Sequence, residues 1–467
     1  MFLNLSAVKI VNSFPKNFFY IFLWASFFNL KVAVSQNSVK NDVPMFNDFA
    51  TKSVSTTTIS EKKEWLRNTE NGFEMRGVWV STIQNVDFPR QPTAKISDLK
   101  QQWLSELKFY DSLNINCVIV QVRPSADAIY PSQLVPFSKF ISGKSGKNLE
   151  GNFDLLEFMI RTAHEKGMAF HAWVNPFRAV LDGDTTTLHP LHVFKAHRDW
   201  IFKYGREWML NPGIPEVRDH FVAVVDEIVE KYDIDAIHFD DYFYPYRLPD
   251  ENLGDAETFK TYGAGFDDIN EWRRSNINDI MQRIHENTKN RKATCEIGVS
   301  PFSVWRNQKD DPRGSDTRAG QRCYDDLYAD VLNWIDNDWI DYVAPQLYFH
   351  IGFELVDYEK IANWWIANRK NKQLYVGLAV YKVNNNKYVE WSQPDQILKQ
   401  MTFNREHADA ISGAMFFSSK WLHNNALGVT NAIRKQFFQN PAAVPILREE
   451  AGAPEPAAQN TEIEEKQ

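Results

Sequence analysis

Pro215-Glu-Val-Arg-Asp-His-Phe-Val-Ala-Val-Val-Asp-Glu-Ile-Val-Glu-Lys-Tyr-Asp-Ile-Asp-Ala-Ile-His-Phe-Asp-Asp-Tyr-Phe-Tyr-Pro-Tyr246 carries one helix and one strand in succession. The helical pattern opens after Pro215, and Phe221, Val224, Val225, Ile228 and Val229 recur on one stripe over 216–232. The strand that follows, 236–241, is apolar until it meets two adjacent acids, Asp240 and Asp241. A buried strand has no structural reason to end this way. Close carboxylates repel, and at least one must lose its water. Such an arrangement is found where proton transfer or stabilisation of an oxocarbenium ion benefits from it. Tyr242, Tyr244 and Pro245 come directly after, and flat rings suit the CH faces of a pyranose. The segment reads as a glycan-processing centre.

The same alternation extends in both directions. Strand-like runs fall at 75–82, 117–123, 169–175, 236–241, 297–301, 342–348, 375–381 and 414–419. Helical patterns separate them at 96–112, 154–166, 216–232, 270–287, 324–337, 358–369 and 394–407, and a last one follows at 425–439. Eight strands, each followed by a helix, make an α/β fold of the (β/α)8 barrel type the economical solution. A doubly wound open sheet is the alternative, but no Gly-rich strand-to-helix fingerprint is present. Three strand-to-helix connections are long, at 130–153, 176–215 and 243–269. Loops on that face build the active site of a barrel, so the asymmetry places a deep cleft there.

The 467 residues divide into a signal peptide (1–35), a polar linker (36–71), the barrel (72–438) and a flexible acidic tail (439–467). Lys9 and Lys16, the apolar stretch 18–28 and the small residues Ala33-Val-Ser35 have the layout of a cleaved export signal. Nothing later is long and apolar enough to insert in a membrane, and no Cys near the junction could accept a lipid. The expected location is therefore periplasmic or extracellular. A net charge of -8 argues against nucleic acid as a partner. Cys117, Cys295 and Cys323 lack metal-ligand spacing, and Cys117 and Cys295 read as small buried hydrophobes. His189, His192 and His197 read as a solvated loop. Neither a metal nor a cofactor is expected, and oligomeric state is not encoded in any recognisable pattern.

Alternation along barrel strands turns every second side chain inward. That selects Gln121 and Arg123, then His171, Trp173 and Asn175, then His238 and Asp240 with Tyr242 beyond. Later strands add Gln346, Tyr348 and Tyr381, with Trp305 just past the fifth strand. Most lie at C-terminal strand ends, where a barrel places its chemistry. Asp241 would face outward unless the strand loses regularity at the rim.

Met75-Arg-Gly-Val-Trp-Val-Ser-Thr82, Val120-Gln-Val-Arg-Pro124 with Ala126-Asp-Ala-Ile-Tyr-Pro-Ser132, and Ala172-Trp-Val-Asn-Pro-Phe-Arg178 resemble the glycosyl-hydrolase-like 10 family. So do His238-Phe-Asp-Asp-Tyr-Phe-Tyr-Pro245, Val299-Ser-Pro-Phe-Ser-Val-Trp-Arg306 and Tyr342-Val-Ala-Pro-Gln-Leu-Tyr348. The resemblance spans about residues 72–437. It implies a barrel glycosidase outside the cytoplasmic membrane, similar to hydrolases of peptidoglycan strands stripped of their peptides.

Two carboxyl groups are the minimum for most glycoside hydrolysis. Asp240 and Asp241 are the candidate catalytic pair. They are similar to the adjacent acids of the O-GlcNAcase family, where one orients the substrate's acetamido group and the next supplies the proton. Asp240 with a distant partner, Asp127 or Asp87, is the competing scheme. Glu296 precedes Ser300 by four residues and should sit about 13 Å deeper, at the barrel floor. Arg123 would face a sugar carboxylate or an active-site Asp. Asp127, His171, Asn175, His238, Gln346 and Tyr348 are candidates for hydroxyl or amide recognition, and Tyr242, Tyr244 and Trp305 for stacking on sugar rings. A barrel that binds glycan without cleaving it remains the alternative function.

Overall fold

The structure is a computed structural model and describes residues 72–181, 185–384 and 388–445. The expected signal peptide, linker and residues 446–467 of the tail lie outside the described residues. The described residues form eleven strands: β1 (Met75–Val80), β2 (Cys117–Arg123), β3 (Ala169–Val174), β4 (Arg178–Val180), β5 (Ile201–Tyr204), β6 (Glu207–Leu210), β7 (Ala236–Phe239), β8 (Glu296–Val299), β9 (Tyr342–Val343), β10 (Gln373–Leu378) and β11 (Gly413–Phe416). Eight close into a parallel barrel in the order β1-β11-β10-β9-β8-β7-β3-β2. The (β/α)8 fold expected from the alternation is the one observed. β4, β5 and β6 form a separate antiparallel sheet within the long connection after β3.

Two apolar layers hold the barrel. Val118, Val120, Phe170, Ile237 and Phe239 point outward against helices, among them Pro215–Lys231, whose Phe221 and Val225 are fully buried. Inward, Met75, Cys117, Ala169 and Ala236 fill the floor with Val444, while Trp79, Trp173 and Tyr342 stack above them. The barrel is thus a packed core and not a pore. Gly298 exists for Tyr342: a Cβ there would sit 1.8 Å from the ring's Cζ. All three cysteines are free and buried.

Among the departures from the sequence pattern, three have a clear local cause or consequence. The ninth strand stops at Val343 because Pro345 has no N–H to donate, leaving Gln346 only isolated bridges to Phe302 and Gly377. The helix expected over 324–337 is broken into Cys323–Asp326 and Val331–Asp336, with Tyr328 left-handed (φ 54°) between them. Asp330 restarts it by accepting a bond from the Asn333 amide. Ala442, Ala443 and Val444, expected in the tail, are buried at the floor, where Ala443 bridges Phe73 and the Ala442 carbonyl accepts from Asn116.

Candidate active site

β7 ends at Phe239, so both acids lie just beyond the regular strand, in a turn closed by the Phe243 amide donating to the Asp241 carbonyl (3.0 Å). That break is why Asp241 does not face outward. Asp240 and Asp241 are 5% and 2% exposed and share one site. Among the described residues neither forms an ion pair with a lysine or arginine.

The two carboxylates are held differently. Asp240 accepts three hydrogen bonds: at Oδ2 from Asn175 Nδ2 and Trp173 Nε1 (3.2 Å), and at Oδ1 from the Tyr242 amide (3.2 Å). Asp241 accepts at Oδ2 from the Tyr246 hydroxyl, and the nearby Gln346 side chain favours its ionised form. Burial raises the pKa of both. For Asp240 the charge of Arg178 and the three donors oppose that rise, which stops at about 6. For Asp241 burial is reinforced by the negative charge of Asp240, and the value reaches about 7. The donors and the nearby charge of Arg178 favour the ionised form of Asp240, while the negative charge of Asp240 pushes Asp241 further toward its protonated form.

Asn175 has its orientation imposed from behind. The Gln121 Oε1 accepts from Ser81 Oγ (3.1 Å), the Thr82 amide (3.1 Å) and the Ile83 amide (3.0 Å). Its Nε2 is therefore left to donate to Asn175 Oδ1 (2.6 Å). Arg178 Nη1 donates to the same oxygen (3.3 Å). With Oδ1 committed to two donors, the Asn175 NH2 group must face Asp240. Arg178, to which sequence reading gave no role, is carried on β4, beside β6 and its Glu207 (3.9 Å), with its guanidinium 4.3 Å over the Tyr242 ring. The only sign of it in the sequence is its place at the end of the Ala172–Arg178 run.

Arg123 is not in the site. The register between β2 and β3 slips between Gln121 and Arg123, and this irregularity undoes the alternation that put both on one face. The guanidinium lies instead over Phe221 (5.3 Å) and donates to the carbonyls of Asn175 and Pro176 (3.0 Å to the latter). Burial lowers its pKa to about 10.

His171 and His238 face inward as expected, yet they are core residues. His171 is level with Ala236, four residues below Asp240, or about 13 Å. A single chain of bonds connects them: Trp79 Nε1 donates to His238 Nε2 (3.2 Å), His238 Nδ1 meets the Tyr342 hydroxyl (2.8 Å), and that hydroxyl meets His171 Nδ1 (2.9 Å). Burial depresses both imidazoles, His171 to about 4, so they are neutral. His238 also bonds Ser300 Oγ (3.0 Å), close under the rim.

Of the aromatics, Tyr242 is half-buried beside Tyr246 (5.1 Å), and Tyr348 is half-buried against Tyr381 (5.9 Å) and Phe417 (6.2 Å). These form the mouth. Tyr244 and Trp305 do not: Tyr244 packs on Tyr328 (4.8 Å), and Trp305, fully buried, stacks on Trp364 and donates to Asp330 (3.3 Å). The apolar wall behind the rim took both rings. Gln346 is half-buried, donates to the Ser300 carbonyl (2.9 Å) and stands near Asp241.

Asp127 is buried in the loop after β2, where Ala126 is left-handed and the Ser125 amide donates to the carboxylate (2.9 Å). It lines a small separate void with His192, whose Nε2 bonds the Ser125 carbonyl (3.1 Å). His192 is thus a packed residue and not a solvated one. Asp87 ties the first strand to the last, accepting from the Ser81 amide (2.8 Å), Ser418 Oγ (2.8 Å) and the Lys420 amide (2.7 Å). Glu296 begins β8 at the floor, as its spacing required.

The profile of the glycosyl hydrolase-like 10 family matches residues 74–393. The chain belongs to that family. It is 40% identical to the glycosyl hydrolase YngK of Bacillus subtilis, over 82% of this chain and 75% of that protein. It is 36% identical to the glycosyl hydrolase DigH of Escherichia coli K12, over 75% of this chain and 84% of that protein. The glycoside hydrolase domain of PgaB from Bordetella bronchiseptica aligns with this chain at 12% identity and a TM-score of 0.48, over 78% of this chain and 98% of that one. Family membership places the chain among glycoside hydrolases rather than among barrels that only bind glycan.

Proposed function

We propose that this glycoside hydrolase cleaves an N-acetylated amino-sugar glycan, with peptide-free peptidoglycan strands as its substrate, by a substrate-assisted retaining route. The observation that carries the reading is the unequal environment of the two neighbouring acids. Asp240, fixed by three donors and facing Arg178, stays ionised and accepts a hydrogen bond from the substrate's acetamido N–H. That bond aims the acetamido oxygen at the anomeric carbon. Asp241, protonated near neutral pH, gives its proton to the departing glycosidic oxygen as the C–O bond breaks. An oxazolinium forms on the substrate. Asp241 then takes a proton from the water that opens it, and the anomeric configuration is retained.

The export layout of residues 9–35 supports action outside the cytoplasmic membrane, where such strands occur. N-terminal sequencing of the protein recovered outside the cytoplasm checks the cleavage. The functional test is product analysis after incubation with peptide-free strands. New reducing ends carrying the original anomeric configuration are expected. Anhydro-sugar ends would instead mark a lytic transglycosylase, and strands bound but left intact would contradict the substrate reading.

A further inference from the structure

The rings at the mouth do not stop at Tyr348. From Tyr348 the run passes to Phe417 (6.2 Å) and Tyr381 (5.9 Å), and from Tyr381 on to Trp421 (6.4 Å). All four side chains are half-buried. The run starts at the acid pair, whose charges act on the Tyr348 hydroxyl. It leads over the ends of β10 and β11, across the barrel from β3.

Local packing holds the two outer rings at the rim. Tyr381 lies in the turn Val380–Lys382 after β10, where Val380 is buried in its place. Trp421 lies in the short helix Ser419–Asn424 after β11. Asp87 grips Ser418 Oγ and the Lys420 amide, Ser419 Oγ donates to the buried Glu106 (3.0 Å), and Leu422 takes the core side. The exposed Lys420 carries its ammonium over the indole at 5.5 Å, so one face of Trp421 is turned to the solvent side. The polar tips are also free. Indoles in the wall are bonded, as Trp305 is to Asp330 (3.3 Å) and Trp365 to the Ser303 carbonyl (2.7 Å). Among the described residues, the hydroxyls of Tyr348 and Tyr381 and the Nε1–H of Trp421 have no hydrogen-bond partner. A ring with an apolar face and an unpaired polar edge suits a ligand that is amphipathic in the same way.

We propose that Tyr381 and Trp421 form a further sugar-binding subsite, which stacks a pyranose ring of the glycan beyond the one held at Tyr348 and the acid pair. The CH face of the sugar lies on the indole, and its hydroxyls meet the Tyr381 hydroxyl and the Trp421 Nε1–H. The inference rests on the acid pair as the point of cleavage and holds for any glycan built of pyranose rings. A subsite two rings away from the acids serves a chain that continues past the cleaved bond. Binding energy gained there is available at the reacting sugar, so short substrates forgo it.

The test is nuclear magnetic resonance on Asp241→Asn protein, in which turnover is suppressed, with heavy nitrogen in its tryptophans. The Trp421 indole signal is the one lost in Trp421→Phe. The probes are chito-oligosaccharides and peptide-free strand fragments, each as disaccharide, tetrasaccharide and hexasaccharide. The longer fragments should move the Trp421 signal and the disaccharides should leave it in place. By calorimetry, affinity should rise from disaccharide to hexasaccharide, and Trp421→Ala should weaken hexasaccharide binding about tenfold. A Trp421 signal that no fragment of either series moves would overturn the subsite. So would a signal moved equally by the disaccharides, or a gain with length that Trp421→Ala leaves intact. The shift is read on protein that keeps Trp421, so it decides the matter even where Trp421→Ala fails to fold. A shift with chito-oligosaccharides alone, with no reducing ends released from peptide-free strands by wild type, would support the subsite and fail the substrate reading.

Discussion

The β3 flank and the β8–β9 flank of the acid pair are built on opposite plans. On the β3 side, Trp173, Asn175 and Arg178 all present hydrogen-bond donors or positive charge to Asp240. A chain of fixed amides running back through Gln121 to the first connection holds them still. On the other side, Asp241 meets a tyrosine hydroxyl and one amide, among the rings of Tyr246, Tyr348 and Phe302. One flank stabilises a carboxylate and the other a carboxylic acid. Two identical side chains one residue apart are thereby given different chemistry by their neighbours alone.

The comparison breaks most visibly at the acids themselves. Asp240→Asn and Asp241→Asn should each lower kcat on peptide-free strands by about 10^2–10^4-fold, measured as reducing ends released. Equal retention of activity by either variant would remove that carboxylate from the reaction. Next in size is the pH dependence. Asp240 must be ionised and Asp241 protonated, so kcat should fall as pH drops below about 6 and again as it rises above about 7. Stability follows the same sign. A carboxyl whose pKa is raised by folding contributes fully at low pH and loses that contribution as pH climbs through the raised value. Asp241→Asn should therefore raise Tm at pH 8 and change it little at pH 4, a difference on the order of 2–4 kcal/mol.

Smaller effects should come from the amide chain. Gln121→Ala frees Asn175 to rotate, and kcat should fall about tenfold while KM holds. The acidic limb of the profile should also move upward, because Asp240 loses a donor to its ionised form. A uniformly less stable protein would not move that limb. Smallest at the chemistry is Trp305→Phe. It should lower stability by about 1–2 kcal/mol in urea unfolding and leave KM unchanged, since the indole is buried and touches no substrate.

The alternation that fixed the eight-stranded fold was legible because each strand ends where a polar or turn signal begins. Asp240, Asn175, Gln346 and Tyr348 were legible because they follow strand ends, and the period of two carried past those ends still puts them at the rim. Alternation misplaces side chains where the backbone departs from that period. At Arg123 a slip in pairing moves the guanidinium to the helix layer. Past β7 the strand ends one residue before Asp240, so strand phase says nothing firm about Asp241. His171 shows a different gap: alternation gives the direction of a side chain but not its height in the barrel. The three-stranded sheet that carries Arg178 was hidden because its strands are three or four residues long. The left-handed Gly205 between Tyr204 and Glu207 was its one visible sign.

The division of labour between the acids is tested most directly with an aryl glycoside of the disaccharide unit, whose nitrophenolate leaves without needing a proton. Turnover of this compound and of peptide-free strands should be compared for wild type, Asp240→Asn and Asp241→Asn. The account predicts that Asp241→Asn recovers most of its loss on the aryl substrate, while Asp240→Asn is as impaired there as on the strands. Recovery by Asp240→Asn instead, with Asp241→Asn impaired on both, would contradict it.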